Sequence, residues 1–407
     1  MADFHQAGDV ATLHRLDPGN LEQLEREITR LSRRYPVALV LPCLFSEFSR
    51  PAIRHIIEEL RHVTYIDHIV VSLNQAAPDD LPVAAHALAR LPQRVTILWN
   101  EAPAVQALFA LLKEHGLDAG PNGKGRACWI AYGYLLADEA CQVIASHDCD
   151  VTTYSRELLA RLCYPVVNRR LGFEFAKGYY ARVSGVLHGR LTRLFVAPLV
   201  RSMQATLGRV PLLEFLASFR YPLAGEFAMT REVAQANRIP ANWGLEVGVL
   251  AEVFRHCGPQ RACQTELCAT YDHKHQVLSA GDPGQGLSRM CVEVAQSLLR
   301  SLAAEGVVLS DALFGTLQVQ YLRTAQDMVR RYEADAAVNG LAFDRHREEQ
   351  AIEAFSRALT LACGQQRENP LGVPMIPDWE RVRSAIPGFL DMLRDAVDLD
   401  AAVTVAA

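Results

Sequence analysis

Hydrophobic and polar positions along this chain follow two regimes. In the first, the continuous apolar run at residues 37–42 fits a strand buried on both faces, and the largely apolar stretches at 65–73, 95–99 and 141–146 read as further strands. Ser49 and Pro51 open a helix over 52–61, and helical spacing returns at 81–91, 104–115 and 126–140. Strand and helix alternating in this way imply a parallel, doubly wound sheet, with ligands bound beyond the carboxyl ends of its strands. Residues 171–180 and 263–271 read as later strands and 191–207 and 243–254 as helices, with 221–229 completing this mixed half.

The second regime starts beyond Pro283 and is almost purely helical: 287–304, 310–333, 347–360 and 379–397, with a Pro-rich joint at 371–377. The division that follows is an N-terminal helical extension (1–34), an α/β domain (35–283) and a helical C-terminal region (284–407). There are no internal repeats.

Composition narrows the classes. A chain of 407 residues is too long for one simple core and suits an α/β domain with a helical appendage. The net charge of −5 gives no electrostatic reason to expect nucleic acid or an anionic membrane as partner. No stretch approaches the ~18 apolar residues of a membrane span, and the polar start lacks the apolar run of a signal peptide. The 10 cysteines include no paired CxxC, so they read as small buried hydrophobes in a reducing cytoplasm. Of 41 basic residues only four are lysine, namely Lys113, Lys124, Lys177 and Lys274. In so Arg-rich a chain, a retained lysine points to a use for its compact ammonium.

The chemistry concentrates after the strand at 141–146. Asp148-Cys149-Asp150 follows it, and two carboxylates on alternate residues can offer oxygen to a hard divalent cation, Mg²⁺ or Mn²⁺. Such a cation can bridge a diphosphate and stabilise a leaving nucleoside diphosphate. The bland alternative is a solvated acidic turn.

Gly123-Lys124-Gly125 opens a helix and offers N–H groups with one cation to an anion, or is simply a helix-opening turn. Lys177 either touches diphosphate or snorkels to solvent. His273 is a candidate further metal ligand, or a surface histidine; His275 is the less favoured neighbour. Trp243 and Glu246 begin a helix, where Glu246 orients sugar or acceptor hydroxyls or else complements the helix dipole. Glu226 needs a partner if buried. Gly189, Arg190 and Thr192 place a guanidinium and a hydroxyl at a helix start, suited to a carboxylate or phosphate.

Taken in order, LVLPCL (39–44), GKG (123–125), HDCD (147–150), GRLTRLFVAPL (189–199), YPLAGEF (221–227), WGLEVGVL (243–250) and YDHKH (271–275) resemble the glucosyl-3-phosphoglycerate synthases, and more loosely the mannosylglycerate synthases. The resemblance covers about residues 37–278. It implies the GT-A fold, a Rossmann-like mixed sheet flanked by helices, and metal-dependent, retaining transfer of glucose from a nucleotide-diphosphate sugar (UDP-, GDP- or ADP-glucose) to 3-phosphoglycerate. Under it Pro42, Leu44 and Glu47 hold the nucleoside and Lys124 lies near the donor. Asp150 and His273 bind the metal, while Gly189, Arg190 and Thr192 hold the acceptor. Glu226 and Glu246 face the sugar, so Asp148, Glu226 and Glu246 are the candidate catalytic carboxylates, with Lys177 and Trp243 as further substrate contacts.

Two departures stand out. The first loop reads Pro42-Cys-Leu-Phe-Ser-Glu47 where the family usually has Pro-Ala-Leu-Asn-Glu-Glu, and His275 replaces the usual Asn. Transfer of mannose, or transfer to free glycerate, is the runner-up. A sugar nucleotidyltransferase is disfavoured because residues 41–50 contain no Gly, and a non-catalytic binder has no need of this full set. The C-terminal helices are expected to complete the acceptor site or a dimer interface, and a homodimer is the expected assembly.

Overall fold

The computed structural model describes residues 6–273, 285–372 and 375–406. Eight strands form one sheet: β1 (Ala11–Leu13), β2 (Val37–Leu44), β3 (Ile66–Asn74), β4 (Arg94–Trp99), β5 (Val143–Ser146), β6 (Phe175–Tyr179), β7 (Phe227–Thr230) and β8 (Ala262–Glu266). Their order is β1-β8-β6-β7-β5-β2-β3-β4. The apolar runs sort by alternation across two cores, as a pleated strand requires. Ala38, Val40, Val70 and Ile144 face one, and Val37, Leu39, Leu41, Ile69, Val71 and Val143 face the other.

The sheet is mixed, as the resemblance implies: the parallel pairing expected from strand–helix alternation holds everywhere except at β7, which runs antiparallel to both β5 and β6. Because β6 and β7 are antiparallel neighbours, the connection between them starts and ends at one edge of the sheet. The two ends of this connection, residues 180–192 and 221–225, lie at the carboxyl edge and line part of the cavity described below, whereas its middle reaches back across the sheet, where the Asp9 N–H donates to Ser218 Oγ.

Other boundaries shift for local reasons. The strand expected at 171–180 is shortened because Arg169–Leu171 forms a 3₁₀ turn closed by Gly172 at φ +76°. The strand expected at 263–271 ends at Glu266, after which the Tyr271 N–H rejoins the neighbouring chain through the Ala181 carbonyl. The single helix expected at 379–397 is two, Trp379–Ala385 and Phe389–Ala406, since Ile386 leaves the helical region and Pro387 has no N–H to continue the ladder. The segment before residue 35 supplies, besides the helix Leu21–Ser32, the edge strand β1, paired in parallel with β8.

The C-terminal helices share the larger core with the sheet. Trp379 stacks on Trp129 with ring centroids 4.0 Å apart, and Trp129 Nε1 donates to the Pro377 carbonyl at 2.8 Å. Among the described residues no helix is long and apolar enough to cross a membrane. All 10 cysteines are free thiols, nine of them buried, as expected of small apolar residues.

Candidate active site

The carboxyl ends of β2 and β5 lie side by side, Val40 opposite Ser146, so the Asp148 turn emerges beside Pro42. Cys149 Sγ donates to the Pro42 carbonyl and fixes this neighbourhood. Asp148 and Asp150 then point to different partners.

Asp148 meets Lys124, whose Nζ lies 2.6 Å from Asp148 Oδ1 and donates to Glu246 Oε1 at 3.0 Å. The contact is possible because of two glycines. A Cβ on Gly125 would stand 1.8 Å from the Pro240 carbonyl oxygen, so only glycine lets the 240–242 segment, and with it Glu246, lie against the start of the Lys124–Leu136 helix. A Cβ on Gly225 would stand 2.5 Å from the Asp148 carboxylate. Burial alone would lower the Lys124 ammonium, but Asp148 and Glu246 outweigh it and hold its pKa well above the usual value. Burial likewise works against the Asp148 carboxylate, and Lys124 more than compensates, so its pKa is lowered. Of the N–H groups expected to form an anion cradle at this helix start, that of Arg126 is directed to the Ala241 carbonyl instead.

Asp150 meets His273. Val151 and His273 form a single antiparallel bridge, the Thr152 N–H donates to the Asp272 carbonyl at 2.8 Å, and the Asp272 N–H donates to Thr153 Oγ1 at 3.0 Å. These bonds zip two segments distant in sequence and leave Asp150 Oδ2 3.6 Å from His273 Nδ1. Asp150 Oδ1 is buried without a hydrogen-bond partner. An anionic oxygen stripped of water and left unpaired fits a cation, and carboxylate plus imidazole is a donor pair that accepts Mn²⁺ and tolerates Mg²⁺. Among the described residues no group of three or more His, Cys, Asp and Glu side chains gathers as a metal site, so this pair fits an ion whose remaining ligands come from substrate or water.

All these groups face one cavity of about 1140 Å³. Every predicted site residue lines it except Lys177 and Glu226, including Pro42, Leu44, Glu47 and Trp243 near the Asp148 end. His275 lies outside the described residues.

Lys177 neither reaches a diphosphate nor snorkels to solvent. It is 0% exposed, donates to the Ala224 carbonyl at 2.5 Å and sits 5.3 Å from the Phe227 ring centroid. Burial pushes its pKa down to about 8 despite Glu246 and Glu226 nearby. Glu226 does not face the cavity either. It is sealed beneath the floor, where Tyr180 Oη at 2.7 Å and Tyr271 Oη donate to its carboxylate. Those two rings stack with centroids 3.7 Å apart. Burial and the Asp148 charge raise the Glu226 pKa.

At the other end of the cavity Arg190 and Thr192 open the π-helical segment Leu191–Val196. The Thr192 hydroxyl is buried and has no hydrogen-bond partner. Arg190 Nε donates to Glu348 Oε1 at 2.6 Å, and Arg193 Nη2 donates to Glu348 Oε2 at 2.9 Å. Neither Glu348 nor Arg193 was marked by the sequence pattern. The available signal was a carboxylate placed on the apolar stripe of its helix, in line with Ile352, Phe355 and Leu359.

A mixed sheet whose carboxyl edge carries a Lys–Asp–Glu cluster, an Asp–His pair and a large cleft is that of a GT-A glycosyltransferase. No family model matches the chain. Among curated relatives, the glucosyl-3-phosphoglycerate synthase of Persephonella marina is 44% identical over 400 residues, covering 98% of this chain and 99% of the relative. That of Methanococcoides burtonii is 37% identical over 403 residues, covering 98% of each. The chain belongs to the glucosyl-3-phosphoglycerate synthase family.

Solved structures agree in fold. Glucosyl-3-phosphoglycerate synthase of Mycobacterium tuberculosis, in complex with Mn²⁺, UDP-glucose and phosphoglyceric acid, matches with a TM-score of 0.54 at 23% identity, over 73% of this chain and 89% of that one. Mannosyl-3-phosphoglycerate synthase of Rubrobacter xylanophilus matches with a TM-score of 0.54 at 24% identity, over 74% of this chain and 83% of that one.

Proposed function

We infer that this chain transfers glucose from a nucleoside-diphosphate glucose to 3-phospho-D-glycerate with the help of Mg²⁺ or Mn²⁺. The family supports the reaction. The observation that carries its assignment to this cavity is the unpaired, buried Asp150 oxygen beside His273, a short way from the Lys124 ammonium.

In this reading Asp150 and His273 would hold the divalent cation, which would supply positive charge to stabilise a departing nucleoside diphosphate. Lys124 binds a phosphate oxygen, and Asp148 and Glu246 keep its ammonium charged and fixed in place before substrate arrives. Pro42, Leu44 and Glu47 contact the nucleoside, and Trp243 borders the sugar. Arg190 takes an anionic group of the acceptor, and the Thr192 hydroxyl gains the partner it lacks. Glu246 orients hydroxyls from the cavity wall, whereas Glu226 acts from below, holding Tyr180 and Tyr271 in place. Asp148 is paired with Lys124, Glu246 shares that lysine through one oxygen and Glu226 is held by two tyrosines, so the attacking group in this reading is the acceptor hydroxyl brought to the anomeric carbon by positioning.

The test is a matrix of nucleotide sugars against 3-phosphoglycerate and glycerate, with Mg²⁺, Mn²⁺ or chelator. Product is expected with a glucose donor and 3-phosphoglycerate, and none after chelation. Turnover only with a mannose donor or with glycerate would overturn the substrate assignment. Activity that survives chelation would overturn the metal's role.

We further propose a homodimer formed through the C-terminal helices, supported by Val319 and Val338 exposed on the Asp311–Val338 helix and tested by sedimentation. The free thiols suit a reducing compartment, the cytoplasm.

A further inference from the structure

Glu348 comes from the first turn of the Arg345–Glu368 helix, 158 residues beyond Arg190 in sequence, yet its carboxylate is 4% exposed and bridges two guanidinium groups. A buried carboxylate is costly unless paired. Here both oxygens are used, Oε1 by Arg190 Nε and Oε2 by Arg193 Nη2.

The two arginines have different surroundings. Arg193 is 9% exposed and built into the wall. Its Nε donates to the His188 carbonyl at 2.7 Å, its Nη2 also reaches the Leu187 carbonyl, and its guanidinium lies over the Tyr332 ring. Arg190 lines the cavity and gives Glu348 only Nε, while its terminal nitrogens Nη1 and Nη2 have no hydrogen-bond partner among the described residues. A guanidinium gripped by Nε at 2.6 Å cannot swing freely, so its outer edge is held in one orientation.

The surrounding loop is tied to the same helical region. The Ala342 N–H donates to the Gly185 carbonyl at 3.0 Å, and Val186 bridges to Ala342. Glu348 is itself anchored by its helix, where Phe355 packs against Phe195 from the Arg190 segment. Loop, arginines and carboxylate thus form one assembly whose free face is the outer edge of Arg190.

We propose that Glu348 is a positioning residue for acceptor recognition: by fixing Arg190 through Nε it presents Nη1 and Nη2 to the carboxylate or phosphate of the acceptor. The proposal rests on the reading that Arg190 holds the acceptor. Glu348 borders the cavity, but both of its oxygens are taken by arginines, so its part is to orient Arg190. It sets the angle at which a bidentate pair can form, and its one negative charge offsets one of the two guanidinium charges it bridges, leaving the other to be met by the acceptor.

The experiment is steady-state kinetics of the full chain with 3-phosphoglycerate, the active glucose donor and Mn²⁺. Glu348→Gln is expected to raise the KM for 3-phosphoglycerate about tenfold while kcat and donor KM change by less than about twofold. Glu348→Asp, which keeps the charge but shortens the reach, should fall between. In an Arg190→Ala background, Glu348→Gln should add no further rise.

An unchanged or lowered acceptor KM in Glu348→Gln overturns the proposal. So does an equal rise in the Arg190→Ala background, since the carboxylate would then act without its arginine. If Arg190→Ala alone leaves acceptor KM unchanged, the acceptor reading falls and takes the proposal with it, whereas failure of Glu348→Gln alone leaves that reading standing. Should Glu348→Gln not fold, Arg193→Gln with Glu348→Gln removes one charge of each sign and is expected to fold with the same rise; no rise there is again decisive against.

Discussion

The two ends of the cavity are built by different means. The Asp148 end is assembled from the sheet: β2 and β5 deliver the acidic turn, the Lys124 helix starts beside it, and the segment after β8 returns His273. Its parts lie at one edge and are held by strand pairing and by glycines that permit close approach. The Arg190 end contains no strand. It is a loop and a π-helical turn clamped by a carboxylate from the C-terminal helices. One end is therefore rigid by construction, and the other depends on how two regions dock. Damage to the first should appear in the chemical step, and damage to the second in acceptor affinity.

That separation can be broken most severely at the metal pair. Asp150→Ala, or removal of divalent cations, should reduce kcat by about 10³-fold or more, measured as nucleoside diphosphate release, with Mn²⁺ restoring the chelated wild type but not the variant. Next, Lys124→Ala should lower kcat by roughly 10²-fold, because it removes a preorganised ammonium and leaves Asp148 and Glu246 facing each other unpaired. Its acceptor KM should stay close to wild type. A Lys124→Ala enzyme with intact kcat would mean that the ammonium is structural.

At the other end, Arg190→Ala should raise acceptor KM by on the order of 30-fold with donor KM unchanged, the size expected for losing one partner of a close charge pair. If kcat fell instead while acceptor KM held, the division of labour between the ends would be wrong.

The smallest effect concerns neither end and serves as a control on stability. His68 is buried beside Arg94, and burial together with that cation pushes its pKa from 6.5 down to about 4. The unfolded chain binds this proton below about 6.5 and the native chain does not until about 4. Native stability is thus highest above pH 6.5 and falls as pH drops through this window, by up to about 3 kcal/mol from this group. Urea midpoints of His68→Asn should show a shallower decline over the same range, and a slope equal to wild type would refute it.

The sequence carried the sheet end of the cavity well because its signals are local. A buried apolar run followed by an acidic turn announces a strand end, and alternation alone places Asp148 and Asp150 at the ligand edge. Spacing alone does not divide the labour between those two aspartates; the family resemblance assigns Asp150 and His273 to the metal, while the pairing of Asp148 with Lys124 depends on glycine-permitted packing formed in three dimensions. Lys177 and Glu226 were misplaced for a related reason. Lys177 sits in a strand buried throughout, so its alternation carries no mark of which side faces solvent, and Glu226 directly follows the cavity-lining Gly225 but turns beneath the floor. Glu348 was unmarked because its significance lies in a contact 158 residues away. The mixed character of the sheet follows from the family resemblance, but periodicity does not single out β7 as the antiparallel strand, because direction leaves no trace in a four-residue apolar run.

The tryptophan stack bears on how this enzyme can be handled. Trp379 covers Trp129 on the helix that carries Lys124 at its start, so the carboxy-terminal helical region is a lid over greasy surface as well as a neighbour of the cleft. Cutting the gene near codon 284 to isolate a minimal enzyme would strip that lid. The truncated product should precipitate on expression, and fragments supplied separately should regain solubility only when co-expressed.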